Sequence, residues 1–489
     1  MKILFVYPGT IIREVPLNIM YVSSSVKEKG HKTRLFHFTP YSKPGSKDTA
    51  KLIEEAFLKE MNGFKPDIVG FSVMVQNYNI TKCLSGIAKN EFNTPVIWGG
   101  IQPVLEPEEC ISEPSVDYIC TGEGEVVFPR FLEALEKGES PLGLPGIWGK
   151  DKDGKIIRSE RSRLIEDLDS LPFPDRELLP PKYYKAELTG ANILTARGCP
   201  FPCSYCQNKR LMEIYKGKGK FVRYRSPENV FKEMEEIIAE YDSPSFYFSD
   251  EMFTLDKKRA IEFCREYKKK IARPFMVQTR VDYMDDELAK ALKDAGCFMV
   301  NMAIENGNED MRRDILNKTV TDKQIFASYK AVHDAGMMTT SFNMIGVPGE
   351  TMKTIWETIN INRKLTPHRI LCTIFMPLPG TELYDKCKKE NLIDESITDT
   401  TNYYSQVVMK NKNISPRTLI GYQGFFDWYV LLPRYLYPFV HLLRIIYQSI
   451  VSPKISKNPV KRRIREIIVE FVYQLKRFLP QKKFHVKNR

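Results

Sequence analysis

Along the first 140 residues, short apolar runs alternate with stretches whose apolar positions recur every three or four residues. The runs at 3–7, 33–38, 68–72, 96–98 and 117–120 read as buried strands, and 17–29, closed by Gly30, and 79–89 as helices. Strand and helix in alternation predict a parallel, doubly wound sheet, whose ligands sit at the carboxyl ends of the strands. Those ends are small and polar: Ser72 after the third strand, Gly99-Gly100 after the fourth, Gly122-Glu123-Gly124-Glu125 after the fifth. Residues 141–190 carry six prolines and predict a linker with a small hairpin around Asp153-Gly154.

A second series follows, with strands at 193–196, 246–249, 275–279, 298–304, 340–345 and 371–375, and helices that include 227–241, 257–271, 286–295 and 352–365. Six consecutive strand–helix units predict a partial barrel over 191–400 with its active face at the strands' C-terminal ends. There lie Cys199, Asp250 and Glu251, Arg280, Glu305 and Asn343. Each alone would be an ordinary capping or solvated side chain, but five strand ends in register mark a site. The fold class is α/β, with an α-helical region over 401–489. No fixed-period repeat or low-complexity tract interrupts it.

At 489 residues the chain has room for about three domains. With 43% hydrophobic and 27% charged residues it is neither disordered nor fibrous. The opening Met1-Lys2-Ile3-Leu4-Phe5-Val6-Tyr7 meets Pro8-Gly9 without a cleavage site, so it reads as a first strand rather than a signal peptide. Ten cysteines are too sparse for a disulfide scaffold, so the expected compartment is the reducing cytoplasm. Of the net charge of +12, residues 453–489 contribute 12 − 2 = +10 and the rest +2. A basic tail is a local arm or anchor, which argues against nucleic acid as a partner of the fold.

Only Cys199, Cys203 and Cys206 cluster, as C-x3-C-x2-C on one loop after a strand. Zinc normally takes a fourth nearby ligand, and no other Cys or His lies within 50 residues on either side. Three thiolates match a cubane iron–sulfur cluster with one iron left open for chemistry.

With these motifs the sequence resembles the radical S-adenosylmethionine (SAM) superfamily, in its cobalamin-dependent branch, over about residues 1–390. The resemblance implies a flavodoxin-like N-terminal sheet (1–140) holding cobalamin, then a TIM-like (β/α)6 partial barrel. It implies that Cys199, Cys203 and Cys206 are catalytic through a 4Fe-4S cluster, whose open iron chelates SAM, and that Tyr205 lies near the adenine. Electron transfer would then cleave SAM to a 5′-deoxyadenosyl radical. Asp250-Glu251 would bind the SAM amino group, Arg280 and Glu305 its carboxylate and ribose, and Asn343 and Gly346 would approach the cofactor. In the first sheet the same likeness assigns Ser72, Gly99, Gly100, Gly122 and Glu123 to cobalamin. The D-x-H-x-x-G loop of many cobalamin domains is replaced by Tyr7-Pro8-Gly9-Thr10, so cobalt should lack a lower histidine ligand, with His31 and His37 structural.

The implied activity is radical methylation of an unactivated carbon in a lipid or other small molecule, with an external donor such as flavodoxin or ferredoxin. Three alternatives share the motifs. They are a cyclase or rearrangement enzyme, a methylthiotransferase whose second cluster would need Cys83, Cys110 and Cys120, and a non-catalytic iron–sulfur sensor. Residues 425–451 are rich in aromatics, but their longest charge-free run, 435–443, is too short to span a bilayer. Apolar residues from Ile464 to Leu479 then follow helical spacing against Lys and Arg. Together they predict an interfacial anchor, placing the protein peripherally on the inner face of the membrane; an ordinary helical cap on the barrel is the competing reading.

Overall fold

The computed structural model describes residues 1–9, 15–38, 48–186, 190–397 and 406–450. In the first part β1 (Lys2–Pro8), β2 (Lys32–Phe38), β3 (Ile68–Ser72), β4 (Val96–Gly99) and β5 (Tyr118–Cys120) are joined by α1 (Leu17–Lys27), α2 (Asp48–Phe64), α3 (Tyr78–Phe92), α4 (Ile101–Leu105) and α5 (Pro107–Ser112), and α6 (Gly124–Glu136) follows. The strand order is β2-β1-β3-β4-β5, all parallel. Both faces are covered by helices, which is why β1 and β3 are apolar without alternation.

The hairpin expected inside a linker belongs to this sheet. β6 (Ile147–Lys150) pairs antiparallel with β5, and β7 (Ile156–Ile157) with β6, making a seven-stranded sheet. Ile147 is buried against the first core, and the Trp148 indole donates to the Ser159 carbonyl at 2.8 Å. The prolines lie on either side of the paired residues rather than within them.

β8 (Ala191–Ile193) opens the second part. A short antiparallel ribbon of β9 (Ala196–Arg197) and β10 (Arg223–Tyr224) flanks α7 (Gln207–Ile214). Then α8 (Pro227–Tyr241), β11 (Phe246–Phe248), α9 (Lys257–Lys270), β12 (Phe275–Arg280), α10 (Asp286–Asp294), β13 (Cys297–Glu305), α11 (Asp322–Asp334), β14 (Met338–Ile345), α12 (Met352–Leu365), β15 (Arg369–Ile374) and α13 (Glu382–Lys389) complete the winding. The order β8-β11-β12-β13-β14-β15 is sequential and parallel, an open barrel whose end strands do not pair.

α14 (Pro416–Gly424) and α15 (Phe426–Leu431) pack beside β15, and α16 (Tyr437–Ile450) packs on α14. For the first part of the aromatic segment this favours the cap over the anchor. Phe425, Phe426, Trp428 and Tyr429 are buried in a core with Ile345, Ile355 and Ile374, so they cap the barrel. The basic helix expected over 464–479 lies outside the described residues. Among the described residues no helix is long and apolar enough to cross a membrane.

A buried ion triad ties the second part together. Glu233 of α8 accepts from Arg176 at 2.6 Å and from Arg225, beside β10, at 2.5 Å, and all three side chains are less than one tenth exposed. Removing the carboxylate would leave two guanidinium groups buried without a counter-charge. Glu233→Ala is therefore expected to lower the free energy of unfolding by about 3–5 kcal/mol, read from the shift of the urea midpoint.

Candidate functional site

The cysteine loop leaves β9 through Gly198 (φ +93°), whose Cα packs on the Phe221 carbonyl so closely that a Cβ would collide with it. Other strand-end loops then hold the turn. Ser204 donates its N–H to the Leu316 carbonyl at 3.1 Å and its Oγ to that of Ile315 at 2.6 Å, while its own carbonyl accepts the Leu383 N–H at 2.9 Å. Burial pushes the Cys206 thiol up to about 11, with Cys203 and Cys199 adding to the shift, so the three sulfurs lie within each other's field. Arg280 places Nη1 3.6 Å from the Cys203 sulfur and lies over the Phe201 ring at 3.9 Å. Asp282 grips the same guanidinium through two bonds of 3.0 Å.

Among the described residues, no three His, Cys, Asp or Glu side chains converge tightly enough to chelate one metal ion. A cubane takes each thiolate on a different iron, so three cysteines spread along one loop fit it. Cys83 on α3 is exposed, while Cys110 on α5 and Cys120 on β5 are buried.

Tyr205, between two of the cysteines, donates to Glu305 Oε1 at 2.9 Å. Lys318 donates to the same oxygen at 3.2 Å and to the Ala303 carbonyl at 2.7 Å. Glu305 sits at φ +70°, where the register between β13 and β14 shifts. Backbone strain of this kind persists only where the surroundings over-determine it, here through two donors on one carboxylate oxygen. The nearly buried Lys318 had no signal in the sequence: it lies off every strand and motif.

The acidic pair divides. Asp250 is fully buried, with no surface to offer a ligand, and its carboxylate accepts from the Thr195 N–H (2.6 Å), the Thr195 hydroxyl (2.5 Å) and the Ala196 N–H (3.0 Å). Glu251 opens onto the cavity described below. Asn343 is corrected too. Its side chain points outward to α12, accepting from Asn362 at 2.7 Å and donating to Ser341 Oγ at 3.1 Å. Gly346 is a turn packed on α14: a Cβ there would meet a Leu419 methyl at 3.2 Å, and its N–H is taken by Glu350.

In the first sheet, Ser72, Gly99, Gly100 and Gly122 line one wall of a cavity of about 420 Å³. Gly100 (φ +92°) lies against the backbone of Val73, whose N and O would stand 2.9 Å from a Cβ. Ser72 Oγ accepts from Asn18 at 3.0 Å. The opposite wall comes from the second part, with Arg197, Gly198, Asn208, Leu211 and Glu251. One chamber thus joins the strand ends of the first sheet to the cysteine loop, and its glycine-lined wall suits a bulky cofactor.

Glu123 lines this chamber but is committed to ion pairs. It accepts from Arg223 at 2.9 and 2.7 Å, from Arg197 at 3.2 Å and from the Ile165 N–H at 2.6 Å. Burial alone would raise its carboxyl, but Arg223 and Arg197 outweigh that and hold it below the ordinary range. Glu125 accepts from Arg197 at 2.6 Å. The acidic motif therefore clamps the two parts together. His31 lies beside the N-terminal amine and Glu136, and His37 edges onto Tyr7.

The radical SAM superfamily model matches residues 193–361, and the B12 binding domain model matches 13–132. An uncharacterized methyltransferase of Pyrococcus horikoshii is 31% identical over 432 residues, 85% of this chain and 89% of that protein. The anaerobic magnesium-protoporphyrin IX monomethyl ester cyclase of Rubrivivax gelatinosus is 28% identical over 392 residues, 77% of this chain and 69% of that one. The solved structure of the cobalamin-dependent SAM radical enzyme OxsB, with aqua-cobalamin and SAM bound, shares the fold at a TM-score of 0.66 and 16% identity, covering 97% of this chain and 75% of that one.

Glu350 is buried with Asn306 Nδ2 at 2.7 Å, and burial raises its carboxyl from 4.5 to about 7. A raised acid favours the protonated native state, so the stability it contributes is complete below pH 4.5 and is lost as the pH rises through about 7. Glu350→Gln, which stays neutral, should gain on the wild type by up to about 3 kcal/mol across that window. Urea midpoints at stepped pH check this.

Proposed function

The chain belongs to the radical SAM superfamily, in the branch with an N-terminal B12-binding domain, and from that premise we propose that it methylates an unactivated carbon of a lipid or other apolar metabolite. The observation that carries this reading is the single chamber bounded by Ser72, Gly99 and Gly100 on one side and by Gly198 and Glu251 on the other. A methyl carrier on the first sheet and a radical source at the cysteine loop would open into the same space.

Cys199, Cys203 and Cys206 would hold the 4Fe-4S cluster, and Ser72, Gly99, Gly100 and Gly122 would border cobalamin. Glu251, rather than Asp250, offers the carboxylate for the SAM ammonium. Arg280 places a cation beside Cys203, and the hydroxyl of Tyr205, held by Glu305, fixes the ring between two cysteines. When bound, the cluster and SAM supply hydrogen abstraction and cobalamin supplies the methyl group. The chain's own part is to orient and to exclude water: Leu194, Ala196, Leu211 and Phe221 line the chamber near the loop. An electron would come from an external donor such as flavodoxin or ferredoxin, in a reducing cytoplasm.

Cyclisation without methyl transfer is the second reading, favoured by the 28% identity to the cyclase. Anaerobic reconstitution should give about four irons per chain, cobalamin binding, 5′-deoxyadenosine on reduction, and a lipid-extract product heavier by one labelled methylene unit. A product with no such gain selects the cyclase reading. A tetrahedral zinc, or no 5′-deoxyadenosine, overturns both.

A further inference from the structure

The exposed positions of α9 are all charged, as on an ordinary solvated helix: Lys258, Glu262, Arg265 and Lys268 to Lys270. α16 is built the other way. Of its described side chains the exposed ones are Pro438, Phe439, Leu442, Ile445, Ile446 and Ser449, without a single charge. Phe439 and Leu442 are 55% and 56% exposed, and Tyr435, in the turn just before, is 79% exposed. Spacings of three and four put Phe439, Leu442, Ile445 and Ile446 on one face. The opposite face is anchored: Val440 is fully buried, and Arg444 Nε donates to the Tyr429 hydroxyl at 3.1 Å. The ridge is therefore held rigidly on the capped barrel.

The charge of the adjoining sequence, most of it beyond the described residues, says what it meets. Residues 428–465 contain eight Lys or Arg and no Asp or Glu. An aqueous protein partner would need acidic residues around an apolar patch of its own, whereas a bilayer with anionic headgroups offers both elements at once over an extended plane. Stable peripheral binding takes two such signals, apolar insertion and basic attraction. We propose that the exposed face of α16, with the basic residues that flank it, docks on the surface of an anionic phospholipid bilayer. This deepens the lipid part of the reading above but does not depend on methyl transfer, because docking needs neither SAM nor cobalamin.

The test is co-sedimentation of the full chain with phosphatidylcholine vesicles, with and without phosphatidylglycerol. Wild type should pellet with the anionic vesicles, and less so at high salt, where screening removes the basic contribution. Phe439→Ser/Leu442→Ser should reduce the partition at least about tenfold, since two large apolar groups no longer insert, with circular dichroism and urea midpoint unchanged. Undiminished partition of this folded variant overturns the proposal, as does wild type that stays in the supernatant. A wild-type dimer that the double substitution makes monomeric, with no vesicle binding in either, also overturns it and assigns the face to a second copy. None of these outcomes touches radical chemistry, which is read separately from 5′-deoxyadenosine.

Discussion

The structure depends on Arg197 being paired on both sides. This residue ends the short strand that leads into the cysteine loop, and it reaches across to Glu123 and Glu125 in the turn after β5. Arg223, its neighbour across the ribbon, meets Glu123 again. Removing such charges from water costs several kcal/mol per ion, which is offset only when every remaining donor and acceptor is met. Glu123 is met: beyond its two arginines it takes the Ile165 N–H. The clamp therefore contributes geometry more than energy. A different docking of the two sheets would strand two cations and two carboxylates, so one relative placement is selected, with the cysteine loop facing the strand ends of the first sheet.

The open barrel poses a second constraint. β15 is an edge, and its outer face would expose Ile374 along with the end of β14. α14 and α15 cover it with Leu419, Phe425, Phe426 and Tyr429, and Arg363 of α12 donates to the Tyr429, Val430 and Leu432 carbonyls at 2.7, 3.0 and 2.7 Å. Phe425, Phe426, Trp428 and Tyr429, part of what made the segment look interfacial, are the residues the barrel needed as a wall. Aromatic content alone does not distinguish a lid from an anchor, because both demand large apolar area with a few polar tips.

That ambiguity marks where reading from sequence stops. Both strand series, the parallel sheets and the cysteine loop were legible because periodicity and turn residues are local signals. The division of labour at the strand ends was not. Asp250 and Glu251 are adjacent acids just past the end of β11, yet one is consumed by the Thr195 turn and the other meets the chamber. Asn343 ends up outside the barrel because within β14 it alternates with Phe342 and Met344 and falls on the α12 side. Lys318 and Glu350 owe their roles to Glu305 and Asn306, 13 and 44 residues away, which no local pattern connects to them.

These placements separate two kinds of polar residue near the strand ends. Asp250, Asn343, Glu350 and Glu123 are engaged by the protein, and of these Glu123 alone lines the chamber. Glu251 faces the open space, while Arg280 and Glu305 present partly engaged groups beside the cysteines. A site that excludes water keeps few unpaired polar groups on its wall, because each would favour a water molecule there. The apolar lining between them, from Leu194 to Phe221, follows from the same requirement. Few polar groups then remain along the chamber wall, and Glu251 is the carboxylate that opens onto it.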